Sequence, residues 1–164
     1  MATPLGHSIV GYMVARAAGV RSPKAMALAV GAANLPDIDF VAGYISNGDM
    51  ESMHQSVITH RPAFPFLVGA ATGLAAIGLS LLRGRRPGAR EVLRPAALAT
   101  ALVSTHVIMD PLPLPYDSMP RHSGTNAEVL ATQAWNAVID MAVYGTMAVL
   151  LTERNENGRK AETR

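Results

Sequence analysis

Residues 62–82 read PAFPFLVGAATGLAAIGLSLL, a run of 21 residues without a charge. At about 1.5 Å per residue, a helix of this length crosses a hydrocarbon core about 30 Å thick. Gly69, Gly73 and Gly78 lie along it and suit close approach of neighbouring helices. The stretch therefore predicts a transmembrane helix, with the central helix of a soluble bundle as the alternative.

Arg83, Arg85, Arg86, Arg90 and Arg94 follow as a short basic connector. Residues 95–109 then read as an apolar helix that carries His106 near its end. Asp110 lies four residues beyond His106, so one more helical turn would put both on one face. Prolines crowd residues 111–120 and forbid an ordinary helix there. Residues 121–126 read as a loop and 127–151 as a last helix with Asp140 deep inside it. Residues 1–152 are expected to form one helical domain and 153–164 a polar tail.

Upstream of the opening run, residues 6–19 predict a helix with His7 at its mouth and Gly19 as its stop. Ser22 followed by Pro23 marks the start of a second helix. It runs to about Ala33, and Pro36 prevents its continuation. Residues 40–58 include Gly43, Asn47-Gly48, Asp49 and Glu51 and are expected to form loops and turns. The whole predicts an all-α, membrane-embedded bundle of about five helices, three longer and two shorter.

Composition agrees with that class. Of 164 residues 49% are apolar and only 16% charged, and the mean hydropathy is +0.21. An average soluble domain has about a quarter of its residues charged. The absence of cysteine excludes disulfides and thiolate-bound metals. A net charge of +2, with no basic face interleaved with aromatics, argues against nucleic acid as a partner. Membrane lipids are the expected partner. Met1 to Leu5 lack a basic segment, so no cleaved signal peptide is expected.

Alternating the five helices sorts the charges. Arg16, Arg21, Lys24, the five arginines from Arg83 to Arg94, and Arg154, Arg159, Lys160 and Arg164 fall at one end, 12 of the 14 basic residues. Arg61 and Arg121 fall at the other, with all five histidines and with Asp37, Asp39 and Asp110. Positive charge favours the cytoplasmic side. The His/Asp end is therefore expected near the extracytoplasmic side of an inner membrane crossed several times.

The segment Asn34-Leu35-Pro36-Asp37-Ile38-Asp39 places two carboxylates two residues apart, and they repel unless protons or a cation lie between them. His7, Asp37, Asp39, His54, His60, His106 and Asp110 offer seven metal ligands, all nitrogen or oxygen. That set suits zinc, with manganese, iron or cobalt as alternatives, and it exceeds what one tetrahedral ion needs, so two or more ions are expected. Asp37 and Asp39 are candidates to orient or deprotonate an attacking water, and Arg61 or Arg121 to hold a phosphate. His122 reads as an ordinary loop residue. Asp140, inside an apolar helix, is either a functional carboxylate or one paired with buried groups such as Thr100 or Ser104.

The ordered set of His7, Leu35-Pro36-Asp37-Ile38-Asp39, His54, Thr59-His60 and Ser104-Thr105-His106 with Asp110 resembles a family of predicted membrane-bound metal-dependent hydrolases. These are also described as LexA-binding, inner-membrane-associated hydrolases. The resemblance covers about residues 5–152 and implies a multi-helix inner-membrane protein with a zinc-type centre. It implies metal-binding roles for the same seven residues and, by ligand logic similar to the phospholipase C and P1-nuclease group, phosphoester substrates. The chain departs from the family pattern at Gln55, where an arginine is usual, and in its prolines between Met109 and His122. A metal-dependent hydrolase of phosphoesters or lipid-associated esters is the leading expectation. The alternatives are a non-catalytic metal-binding adaptor and a small ion-binding or transport protein.

Overall fold

Local signals set most of the helix ends in the computed structural model, which describes residues 3–48, 58–110 and 126–152. Helix α1 (Pro4–Ala17) starts at Thr3, whose hydroxyl accepts the Gly6 N–H at 3.3 Å. It stops at Gly19, which takes a φ of 84°. The Gly19 N–H donates to the Arg16 carbonyl and the Val20 N–H to that of Ala15, which closes the last turn in a Schellman pattern. Pro23 opens α2 (Pro23–Ala33). Pro36 then sits in a 3-10 turn, Leu35–Asp37.

The chain does not enter a loop there. It forms α3 (Ile38–Asn47), so the described residues contain six α-helices and the expectation of five is wrong. The sequence reading gave weight to Gly43 and Asn47-Gly48 as turn formers. Gly43 is instead buried within α3, and Gly48, at a φ of 70°, is the left-handed stop at its end. Apolar residues at Ile38, Val41 and Ile45 keep the helical spacing between them.

Helix α5 is Ala89–Met109 and thus begins six residues before Pro95, its expected start. Glu91 holds its start: its carboxylate accepts the Gly88 N–H at 3.1 Å and pairs with Arg85 at 2.7 Å. Arg90 and Arg94 therefore stand on the first turns of the helix, not in a connector. Pro95 lies within it and leaves the Glu91 carbonyl without its usual N–H donor.

Helices α4 (Phe64–Leu82) and α5 pack along small residues. A Cβ built on Gly69 would overlap the Thr100 hydroxyl, and one on Gly73 would meet Ala96 and Val92 at 3.5 Å. Across the bundle, Ala15, Ala29, Ala33 and Leu102 tie α1, α2 and α5 into one core. Gly11 admits Ala33 so closely that a Cβ there would lie 2.5 Å from the Ala33 methyl. The last helix, α6 (Asn126–Asp140), passes through a π turn, Met141–Gly145, and continues to residue 152.

Phe64–Leu82, Ala89–Met109 and Ala134–Thr152 are long and apolar enough to cross a membrane. Pro23–Ala33 and Leu35–Asn47, bent by 57° at Asn34, make a fourth if they are taken as one broken span. The start of α1, the bend after α2, the turn before α4 and the end of α5 all meet at one end of the bundle. Arg16, Arg21, Lys24 and the arginines from Arg83 to Arg94 occupy the other.

Candidate metal centre

Three of these meeting segments deliver side chains to one point. Asp37, His60, His106 and Asp110 present ligand atoms that all lie within 4.8 Å of one another. Asp37 comes from the 3-10 turn after α2, and His60 from a second such turn, Ile58–His60, just ahead of α4. His106 stands in the last turn of α5, and Asp110 extends that helix by one residue. The i, i+4 spacing thus brings His106 Nε2 to 3.5 Å from Asp110 Oδ2. His60 Nε2 lies 3.0 Å from Asp110 Oδ2, and His106 Nε2 lies 3.3 Å from Asp37 Oδ1.

These separations fit a shared cation. A tetrahedral ion with bonds of about 2.0 Å spaces its ligands about 3.3 Å apart. His106 Nε2, Asp37 Oδ2 and both Asp110 oxygens are buried, yet none makes a hydrogen bond. Close donors that miss hydrogen-bond angles are aimed at a common centre more than at each other. Buried atoms of this kind call for an occupant, because leaving them unsatisfied is costly.

The outer partners set each imidazole. His106 Nδ1 lies 2.8 Å from the Ala33 carbonyl, which can only accept, so Nδ1 carries a proton and Nε2 is the nitrogen turned to the cluster. His60 Nδ1 lies 3.0 Å from Asp39 Oδ2, and the Thr59 hydroxyl donates to the same oxygen at 3.0 Å. The two neighbouring carboxylates therefore diverge: Asp37 faces His106, whereas Asp39, from α3, faces the far side of His60. Thr59 and the Ala33 carbonyl are contributions that sequence reasoning missed. Thr59-His60 carried a family resemblance but no stated role for Thr59, and a backbone carbonyl leaves no residue signal.

His7 reaches the same place from α1. It is buried, its ring stacks on that of His106 with centroids 3.5 Å apart, and its Nε2 lies 3.3 Å from Asp110 Oδ1. Neither of its nitrogens makes a hydrogen bond. Arg61 follows His60 in the turn to α4 and is exposed. His54, Arg121 and His122 lie outside the described residues.

Electrostatics bind the cluster tightly. Burial disfavours charge on His60, but the Asp110 and Asp39 carboxylates beside it outweigh that and raise its pKa to about 9. Burial likewise pushes the Asp110 carboxyl up, and His106, His60 and His7 more than reverse this, holding it well below the usual carboxylate range. Protons thus do in this arrangement what a cation would do in their place.

Asp140 is a separate polar point. It is fully buried, and its Oδ2 accepts both the Thr3 N–H at 2.7 Å and the Thr3 hydroxyl at 2.5 Å. One partner is thus the cap of α1, one turn before His7, whereas the Thr100 hydroxyl donates to the Ala96 carbonyl of its own helix. Gly6 makes room for it, since a Cβ there would lie 2.6 Å from the carboxylate.

The sequence matches the YdjM inner membrane protein family over residues 1–116, which hold α1 to α5 and all four clustered residues. The chain belongs to that family. No curated protein and no solved structure matches it. The membership and the apolar helices together make it a multi-spanning inner-membrane protein with a buried His/Asp cluster able to chelate a metal ion. The helix α6, with Asp140, lies beyond the part that matches the YdjM family. The hydrolase and LexA-binding aspects of the resemblance go further than the family's description.

Proposed function

We propose that the chain is a membrane-bound, metal-dependent hydrolase of phosphoesters or other lipid-associated esters. The observation that carries this is the convergence of two imidazoles and two carboxylates, buried and without sulfur, on one point. Such a donor set suits zinc, with manganese or iron as alternatives. A divalent cation held there supplies Lewis acidity to a phosphoryl or acyl oxygen and to the attacking water.

Asp37, His60, His106 and Asp110 hold the cation. Asp39 keeps the proton on His60 Nδ1 and so presents Nε2, the carboxylate–histidine arrangement that orients many metal ligands. The Ala33 carbonyl does the same for His106. His7, whose Nε2 lies 3.3 Å from Asp110 Oδ1, would add a ligand, and the family resemblance would add His54. Asp37, on the cluster side, orients the attacking water, whereas Asp39 acts only through His60. Arg61, next to His60 and exposed, offers its guanidinium to the anionic ester. With the arginines at the opposite end, the positive-inside bias puts this centre on the extracytoplasmic side.

The test is metal content and turnover measured together. Protein purified without chelator should contain a divalent metal by mass spectrometry and cleave members of a phosphoester panel. Asp37→Asn and Asp110→Asn should each remove both. Retained metal without turnover on any ester would instead establish a metal-binding adaptor. The transport alternative rested on Asp140, and the donation from Thr3 gives that carboxylate a place in the fold. Ion flux lost in Asp140→Asn but kept in His106→Ala would restore it.

A further inference from the structure

Helix α3 carries an uncharged, apolar face that is exposed. Asp39 is its sole charged residue and is buried against His60. Ile38 and Val41 are each 55% exposed, Tyr44 56% and Ile45 78%. A water-facing helix of ten residues rarely shows such a face without a charge.

That face begins beside the metal centre. Ile38 directly follows Asp37. On α5 the exposed Ile108 stands between His106 and Asp110, and on α4 the exposed Phe66 and Leu67 follow His60 by six and seven residues. Three of the segments that build the centre thus carry large, exposed apolar side chains within seven residues of its ligands. On α4 and α5 these side chains belong to membrane-crossing helices, so lipid covers them. The face of α3 continues that belt. It is joined to α2 through the 57° bend of a broken span or re-entrant element.

We infer that α3 lies in the lipid boundary as an interfacial helix, and that the centre takes its ester laterally, as the phosphoester headgroup of a membrane lipid. This rests on the hydrolase reading and narrows its substrate class. A centre placed beyond the bilayer for water-soluble esters would need no apolar belt beside it. Tyr44 suits the headgroup level, where an aromatic ring meets both lipid and water. The exposed Arg61 is placed beside His60 for a headgroup phosphate.

The absence of cysteine makes the test direct. Single nitroxide labels at Ile45→Cys, Leu74→Cys and Arg86→Cys are compared in vesicles of phosphatidylethanolamine and phosphatidylglycerol. Collision with oxygen reports lipid and collision with a soluble nickel chelate reports water. The Ile45 label should fall between those at Leu74, in the middle of α4, and Arg86, with oxygen favoured over the nickel chelate. Behaviour like that at Arg86 would overturn the seating of α3. Short label-to-label distances between molecules at Ile45 would assign the face to a second copy and overturn it as well.

Turnover then separates this inference from the one beneath it. Ile45→Asp should lower cleavage of vesicle phospholipid at least tenfold and leave cleavage of bis-p-nitrophenyl phosphate unchanged. Cleavage of the soluble ester with vesicle phospholipid untouched in the native protein would overturn the lipid substrate. Turnover of neither probe would overturn the hydrolase reading itself, while the labels would still decide where α3 lies.

Discussion

His60 shows how the proton and the metal compete at single residues. Its raised pKa, about 9, means that it is protonated at neutral pH in the metal-free protein. The sign follows: this ion-paired proton stabilises the metal-free fold below about pH 6.5, and the contribution is lost as pH rises through about 9. A metal must displace that proton. Its apparent affinity should therefore rise with pH by up to about tenfold per unit from this group, levelling near pH 9. Titration calorimetry at pH 7 in buffers of different ionisation enthalpy should show at least one proton released per ion bound. An affinity flat between pH 6 and 8 would exclude the exchange. Asp39→Ala should weaken the metal by about 10–100-fold without removing a ligand, because only the orientation of His60 is lost. Equilibrium dialysis against a competing chelator measures this, and an unchanged affinity would remove Asp39 from the site. The histidines and carboxylates of the centre were legible because these residue types are rare in so apolar a chain. Their division of labour was not, since Asp37 and Asp39 look equivalent until the start of α3 turns them apart.

Helices with sustained apolar runs were found from sequence, and those whose signals mix with turn residues were not. Glycine marks both a loop and a helix end, so Asn47-Gly48 read as a turn although it terminates α3. Similarly, Pro95 read as a helix start although Glu91 and Gly88 had already begun the helix. Packing between elements gives two further tests. Gly69 is the contact point of α4 with Thr100 on α5, where a Cβ would overlap the hydroxyl. Gly69→Ala should cost about 1–3 kcal/mol by forcing the helices apart. The added change Thr100→Ala should recover part of that, as read from thermal unfolding in detergent. Equal losses in the single and double variants would place the strain elsewhere, for example at the nearby Ala96 carbonyl. At the start of α1, Thr3→Val removes one donor to Asp140 and the α1 cap together. It should destabilise by about 1–3 kcal/mol. Since His7 follows one turn later, metal affinity should fall as well if His7 is a ligand.

For the whole molecule, charge segregation survived a wrong helix count. Adding α3 did not invert the bundle, because α3 starts at the level of the metal centre and does not carry the chain to the arginine end as a complete crossing. Helices α4 and α5 therefore keep the directions that the sequence assigns them: His60 stands before the first, His106 near the end of the second, and the arginines lie between. That is why the ends were legible when the element count was not: end assignment depends on the long spans, and α3 is short. The same segregation makes orientation testable, because the protein has no cysteine of its own. Ala63 and Arg86 are both exposed, one beside the centre and the other at the arginine end. With the basic end cytoplasmic, a membrane-impermeant maleimide applied to spheroplasts should label Ala63→Cys at once. It should label Arg86→Cys only after permeabilisation. The reverse pattern would place the centre on the cytoplasmic side, where its ester would have to come from the inner leaflet.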